Sequence, residues 1–268
     1  MSPDAVPSEL ATALRRTALR REGFGEPLYY FTETTSTNDE ASRLAEAGAP
    51  HGTTVVASAQ TAGRGRLGRT WFSPPNAGLY ASIVIREARG APLLTLASGV
   101  AIAEGIRSAT GLPAEIKWPN DVVIDVGLGK RRKLAGILTE ASTSAEGLQF
   151  AVVGFGINLL PAAYPVEIAE RATSIMAELG KLVDPALLLV DCLAALAKRT
   201  SECAAGEHRS VLDRWLELSP SARGARVECE GVRERVIGTT SGIAEDGALL
   251  VQTSRGVEPV RSGQVRWL

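Results

Sequence analysis

Between Glu115 and Leu159 the chain carries four apolar, β-branched stretches in close succession, Glu115–Trp118, Val122–Val126, Lys133–Glu140 and Phe150–Leu159, with few helices among them. Strands in series pair antiparallel, because a parallel neighbour needs a crossover of a dozen or more residues. Two further strands are read at Thr53–Ser58 and Leu79–Arg86. Around them the spacing of apolar residues predicts helices over 8–22, from Ser36 to Gly48, from Pro92 to Thr110 with Gly111 as its C-cap, and over 166–180 and 185–217. The fold class expected is therefore α+β, a mixed, mostly antiparallel sheet with packed helices. Beyond Pro220 the pattern changes to short β runs separated by turns, Arg226–Glu230, Arg233–Gly238, Leu249–Thr253 and Val257–Arg261, which suits a small C-terminal SH3-like β-barrel. Three parts are expected: a short N-terminal helical segment at 1–25, a main domain at 26–219 and the β domain at 220–268. About 45 residues bury only a marginal core, so the last is expected to dock on the main domain.

Charge and cysteine usage exclude several classes. Lys+Arg 29 against Asp+Glu 30 leaves a net charge of −1, so no whole-protein field draws the chain to nucleic acid or to an anionic membrane, and any anion site must be local. The longest apolar run, Pro185 to Ala197, is interrupted by Asp191 and falls short of the ~30 Å hydrocarbon layer. The N-terminus lacks the basic, apolar and cleavage order of a secretory signal, which makes the cytoplasm the expected compartment. Cys192, Cys203 and Cys229 form no C-x-x-C pair and read as buried thiols. His51 and His208 match no metal or catalytic pattern.

The chemistry is concentrated in a few segments. Gln60 to Arg69 (QTAGRGRLGR) places three arginines and three glycines in one loop without an acidic residue. Glycines let backbone N–H groups approach a ligand and arginine forks grip phosphate or carboxylate, so the loop suits an anion, although it matches neither a Walker A nor a Rossmann spacing. Lys117-Trp118-Pro119-Asn120-Asp121 gathers a lysine, an amide and a carboxylate at one strand-to-strand turn. Lys133 opens an apolar strand that contains Gly136, a point where a ligand can pass close to backbone. Gly154-Phe155-Gly156-Ile157-Asn158 repeats the device, and taken alone it also fits a bulge with a strand-terminating Asn. Ser36 to Asn38 fit equally a helix N-cap.

Ser36-Thr37-Asn38, Gln60 with GRGRLGRTWFSP at 63–74, KWPND at 117–121, KLAGIL at 133–138, GFGIN at 154–158 and ATS at 172–174 together resemble the biotin protein ligases, in family order across most of residues 30–175. The resemblance implies a class II synthetase-like catalytic domain. It also implies a two-step reaction in which biotin and ATP, with magnesium, give biotinyl-5′-adenylate, and the biotinyl group then passes to a lysine of a biotin carboxyl carrier protein. Carried over by position, Ser36, Thr37, Asn38 and Gln60 line the biotin head-group pocket, and Arg64, Gly65 and Arg66 close over biotin and the adenylate phosphate. Trp71 packs near adenine and Lys117 contacts phosphate. Asn120 and Asp121 support the adenylate or magnesium region, Lys133 contacts the biotinyl carboxyl and phosphate, and Asn158 reaches the adenine. Arg66, Lys117 and Lys133 are the expected catalytic cations, Asp121 is one candidate to accept the acceptor lysine's proton, and no protein metal ligands are assigned.

Elementary chemistry agrees with this reading. Joining a carboxylate to a triphosphate brings two anions together, so local cations are required and a protein nucleophile is not. About thirty residues precede Ser36, too few for the winged helix of bifunctional members, so the monofunctional type without DNA binding is expected. Two other readings compete: a lipoate–protein ligase, whose dithiolane wants a mainly apolar slot in place of the polar partners a cyclic urea needs, and a non-catalytic biotin sensor, which would not need both Lys117 and Lys133.

Overall fold

Seven strands form the main sheet in the computed structural model, which describes residues 2–86, 93–127, 130–144, 147–230 and 235–268. They are β1 (Leu28–Phe31), β2 (Thr54–Ala57), β3 (Gly78–Ile85), β4 (Glu115–Lys117), β5 (Asp121–Asp125), β6 (Arg131–Ser144) and β7 (Gly147–Asn158), in the order β1-β2-β3-β7-β6-β5-β4. Only β1 and β2 pair in parallel; the other neighbours are antiparallel, as strands in series require. The β6–β7 hairpin runs past the apolar stretch from which it was read. Ala141 to Ser144 continue the ladder with small, mostly polar side chains that carry no hydrophobic signal.

Alternation along β7 assigns the two faces of the sheet. Ala151, Val153, Phe155 and Ile157 point into the large core, which α3 (Leu94–Thr110), α5 (Pro185–Ala204), α1 (Ser8–Arg21) and α6 (His208–Leu218) complete. Helices α3 and α5 approach closely at Gly105, where a Cβ would stand 2.6 Å from Cys192 Sγ. On the opposite face α2 (Thr37–Glu46) covers the β1-β2-β3 end, packing Ala41 and Ala45 on Phe31, Val55, Ala57, Val84, Phe150 and Val152. Farther along this second face, toward β4, the apolar residues give way to glycines and charge.

Two helical readings need correction. Residues 166–180 hold only a 3₁₀ turn at Val166–Ile168 and the short α4 (Ile175–Leu179), started by Ser174, whose hydroxyl accepts from the Ala177 N–H at 3.2 Å. The run 185–217 is two helices, α5 and α6, broken at Gly206 with φ +79°. The expected helix start at Pro92 lies outside the described residues, as does Arg233, the expected start of a C-terminal β run. In α1, Arg21 is not a surface arginine: it is fully buried and donates to the carbonyls of Leu14 and Phe24.

The C-terminal strands β8 (Arg223–Glu230), β9 (Arg235–Ile243), β10 (Leu249–Thr253), β11 (Gly256–Val260) and β12 (Gln264–Trp267) form a second, antiparallel sheet in the order β11-β10-β9-β8-β12. Among the described residues its hydrogen-bonded ladder stays open, with β11 and β12 at the edges. The sequence reading missed β12, whose four residues alternate polar and apolar but are too few to register. Val227, Cys229, Leu249, Val251, Val260 and Val265 belong to the same buried cluster as Trp215 of α6 and Leu96 of α3. The two sheets thus share one core.

Candidate active site

A single cross-strand row organises the second face. Register pairs Phe31 with Ala57, Ala57 with Tyr80, Tyr80 with Gly156, Gly156 with Gly136, Gly136 with Asp121, and Asp121 with Lys117. The row therefore passes from apolar side chains, through two glycines, to a carboxylate and a cation. Neither glycine marks a bulge, since the ladder is regular through both; the irregularity in β6–β7 falls at Ser142/Thr143. They are needed for close approach. The Trp71 indole lies across them, so a Cβ on Gly156 would come within 2.3 Å of Trp71 Nε1 and one on Gly136 within 2.9 Å of Cζ3. Trp71 Nε1 is buried there without a hydrogen-bond partner among the described residues, a donor left for an acceptor that enters the site.

Beside this floor lies a polar nest. Asn38, at the start of α2, rests on Gly154, where a Cβ would meet Asn38 Oδ1 at 1.9 Å. The Ser82 hydroxyl of β3 donates to Asn38 Oδ1 at 2.6 Å and lies 2.8 Å from Thr37 Oγ1. Asn38 Nδ2 donates to Glu140 at 2.6 Å. Gln60 Oε1 accepts the Thr37 N–H at 2.9 Å, while Gln60 Nε2 donates to Ser73 Oγ at 2.8 Å. The cap on α2 thus comes from Gln60: Ser36 occupies the N-cap position, buried, but makes no side-chain capping bond. Side-chain capping therefore does not explain Ser36.

At the other end the cations gather. Lys133 Nζ forms an ion pair with Asp121 at 2.6 Å and lies 5.1 Å from the Trp71 ring centroid. Arg66 Nη1 donates to Asn120 Oδ1 at 3.4 Å, and Asn120 Nδ2 donates to the Ile137 carbonyl at 2.7 Å, tying the Gly/Arg loop to the KWPND turn. Burial holds Arg66 below the ordinary arginine value against the opposing pull of Asp121. Burial also lowers Lys117, with Lys133 and Arg69 adding to the effect and Asp121 opposing it. Two clustered cations, half-withdrawn from water, make an electropositive patch that an incoming polyanion relieves.

Most of the expected residues converge, with three differences. Arg64 turns away from the floor to pair with Asp39 and with Glu140 at 3.1 Å; burial works against its charge, but these hydrogen bonds raise its pKa overall. Gly65 is extended at φ −118°, and a Cβ there would meet only ordinary contacts, so neither conformation nor crowding demands glycine. Asn158 is committed to structure: its Nδ2 donates to the Thr173 carbonyl at 2.9 Å and stands 3.5 Å from the Lys133 carbonyl, joining the end of β7 to the segment that carries ATS. Ser82, Glu140 and Ser73 were missed. Each lies in or beside a stretch that was read, but a lone Ser or Glu has no sequence signal until its partners are known. Arg131, in the basic run before Lys133, pairs with Glu115 at 2.6 Å. The cysteines are free and buried, with Cys203 and Cys229 each pushed up to about 11 by burial, inert as expected.

A model of the biotin/lipoate A/B protein ligase family matches residues 28–158, the span that contains the whole row. The bifunctional ligase/repressor BirA of Bacillus subtilis is 33% identical over 264 residues, 97% of this chain and 79% of that protein. The biotin–[acetyl-CoA-carboxylase] ligase of Paracoccus denitrificans is 32% identical over 247 residues, 87% of this chain and 97% of the relative. Among solved structures, the biotin protein ligase of Aquifex aeolicus in complex with biotin and ATP is similar with a TM-score of 0.77 at 29% identity, covering 91% of this chain and 99% of that one. With identity of about a third sustained over most of the length of these relatives, the chain belongs to the biotin protein ligases.

Proposed function

We propose that this protein activates biotin with ATP as biotinyl-5′-adenylate and transfers the biotinyl group to a lysine of a biotin carboxyl carrier protein. The observation that carries this reading is the order of chemistry along one face: a polar nest at Asn38, Ser82, Thr37 and Gln60, an aromatic-roofed glycine floor, and then Lys133, Asp121 and Lys117. A ligand with a hydrogen-bonding head, a slim apolar chain and an anionic end fits that order. On this reading the cyclic urea binds the nest, the valeryl chain passes alongside the Trp71 indole that covers the glycines, and the carboxylate lies by Lys133.

In the first step a biotin carboxylate oxygen attacks the α-phosphorus of ATP and pyrophosphate leaves. Lys133, Lys117 and Arg66 offset the repulsion between the two anions and stabilise the charge that develops on the phosphate. Asp121, the carboxylate of the row, would help hold magnesium, which would supply charge neutralisation at the triphosphate. In the second step the neutral amine of the acceptor lysine attacks the mixed anhydride, an amide forms, AMP leaves and the amine's proton is lost. Trp71 and the 60–78 loop keep water from the anhydride in the interval. Both substrates of the first step are cytoplasmic metabolites, which suits a protein in which no described helix is long and apolar enough to cross a membrane.

The test is to incubate the purified protein with magnesium ATP and either biotin or lipoate, add a carboxylase carrier domain and weigh that domain. An ATP-dependent biotinyl mass increment on one lysine is expected. A lipoyl increment would transfer the protein to the lipoate ligases, and tight biotin binding with no increment would make it a sensor.

A further inference from the structure

Lys117 and Lys133 flank Asp121 in the row, yet they are held by different means. Lys133 takes the Asp121 carboxylate at 2.6 Å. Among the described residues Lys117 makes no ion pair; its Nζ instead lies 4.4 Å from the centroid of the Trp267 ring. Trp267 is the last residue of β12 and 150 positions away in sequence, in the other sheet. Its ring does not float: β12 is paired to β8 with Trp267 opposite Val227, and the guanidinium of Arg131, itself held by Glu115, lies 5.2 Å from the same ring. The neighbouring residue of the turn is tied to the same sheet, because Trp118 Nε1 donates to the Gly247 carbonyl at 3.0 Å.

Resting on the reading of Lys117 as a phosphate contact, we propose that Trp267 is a positioning residue for adenylation, its indole face holding the Lys117 ammonium at the end of the glycine floor without neutralising it. A carboxylate partner fixes a lysine but cancels the charge that a phosphate needs. An aromatic face attracts the ammonium through the ring quadrupole and leaves its net charge intact. The pair of lysines then divides the work: Lys133 is compensated by Asp121 until the substrate carboxylate arrives, and Lys117 keeps a full positive charge directed toward the triphosphate. This assigns a function to β12 that neither its sequence nor its place at a sheet edge reveals.

The test measures biotin-dependent exchange of pyrophosphate into ATP, with biotin affinity and the thermal midpoint as controls. Trp267→Leu should raise the KM for ATP about tenfold, the size of a partly desolvated cation–π contact, while biotin affinity and melting stay near those of the parent. Trp267→Phe should recover most of the loss, because it keeps a ring. In the Lys117→Ala background Trp267→Leu should add little, as expected of two residues acting through one contact. If Lys117→Ala leaves the KM for ATP unchanged, the phosphate reading of Lys117 falls and Trp267 loses its role with it. If Lys117→Ala raises the KM but Trp267→Leu does not, if the two losses add, or if Trp267→Phe is as impaired as Trp267→Leu, then only the positioning role is overturned.

Discussion

The two lysines of the row make separable predictions. Lys133→Ala removes the cation that faces both the floor and Asp121, and adenylation should slow by about 10²- to 10³-fold, the loss typical of one preorganised charge contact. A wild-type rate of pyrophosphate exchange in that variant would remove Lys133 from the mechanism. For Lys117 the prediction is a pH profile. Burial favours the neutral amine, so the ammonium deprotonates below the 10.5 of an ordinary lysine, and the charge that attracts ATP is present at neutral pH and lost as pH rises through the lowered value. The KM for ATP should therefore climb on the alkaline side with a midpoint below 10.5. Lys117→Arg, which stays protonated, should move that limb out of the measurable range. An alkaline limb unchanged by the arginine variant would assign the titration to another group.

At the scale of elements, the Gly/Arg loop is fastened at two points, one of them to side chains the motifs do not contain. Arg66 reaches Asn120, and Arg64 reaches Asp39 and Glu140. The Arg64 pairs are about two-fifths exposed and contribute less than about 1 kcal/mol to folding. Glu140 matters for another reason: the same carboxylate accepts from Asn38 at 2.6 Å, so one strand residue joins the loop to the nest. Glu140→Gln keeps an acceptor for Asn38 while discharging the partner of Arg64, and biotin affinity by calorimetry should stay within about threefold. Glu140→Leu leaves Asn38 Nδ2 without its acceptor, and affinity should fall more than tenfold. Equal effects of the two substitutions would show that the carboxylate serves only the ion pair. Such couplings explain the limits of sequence reading here. Glycines in GFGIN were visible as unusual in a strand, but whether they marked a bulge or a floor depended on Trp71, eighty-five residues earlier than Gly156, coming to lie on them. Likewise the KWPND turn announced its lysine, while the ring that lies against it sits in a strand whose alternation spans only four residues.

For the whole molecule, the antiparallel main sheet was legible because strands in series have few ways to pair, and the C-terminal β runs because Gly turns punctuate them. What composition could not give was the relation between the two. The expectation of a small β domain docked on a larger one is compatible with anything from a loose tether to a fused core. Here the buried side chains of the second sheet, Val227, Leu249, Val251 and Val265, continue without interruption into Trp215, Leu218 and Leu96. Removing that sheet would expose the fully buried Trp215 and take the Gly247 carbonyl from Trp118, leaving apolar surface and an unpaired indole donor where the KWPND turn is supported. The two sheets should therefore unfold together. Thermal melting of the full chain, followed by far-ultraviolet circular dichroism for the backbone and near-ultraviolet signals for the four tryptophans, is expected to give one coincident transition. Ligands that bind across the row should move both signals upward in step, since binding to the native state stabilises the whole cooperative unit. Two resolved transitions, with only one shifted by biotin and ATP, would mean that the C-terminal sheet melts by itself and that the shared core is not a cooperative one.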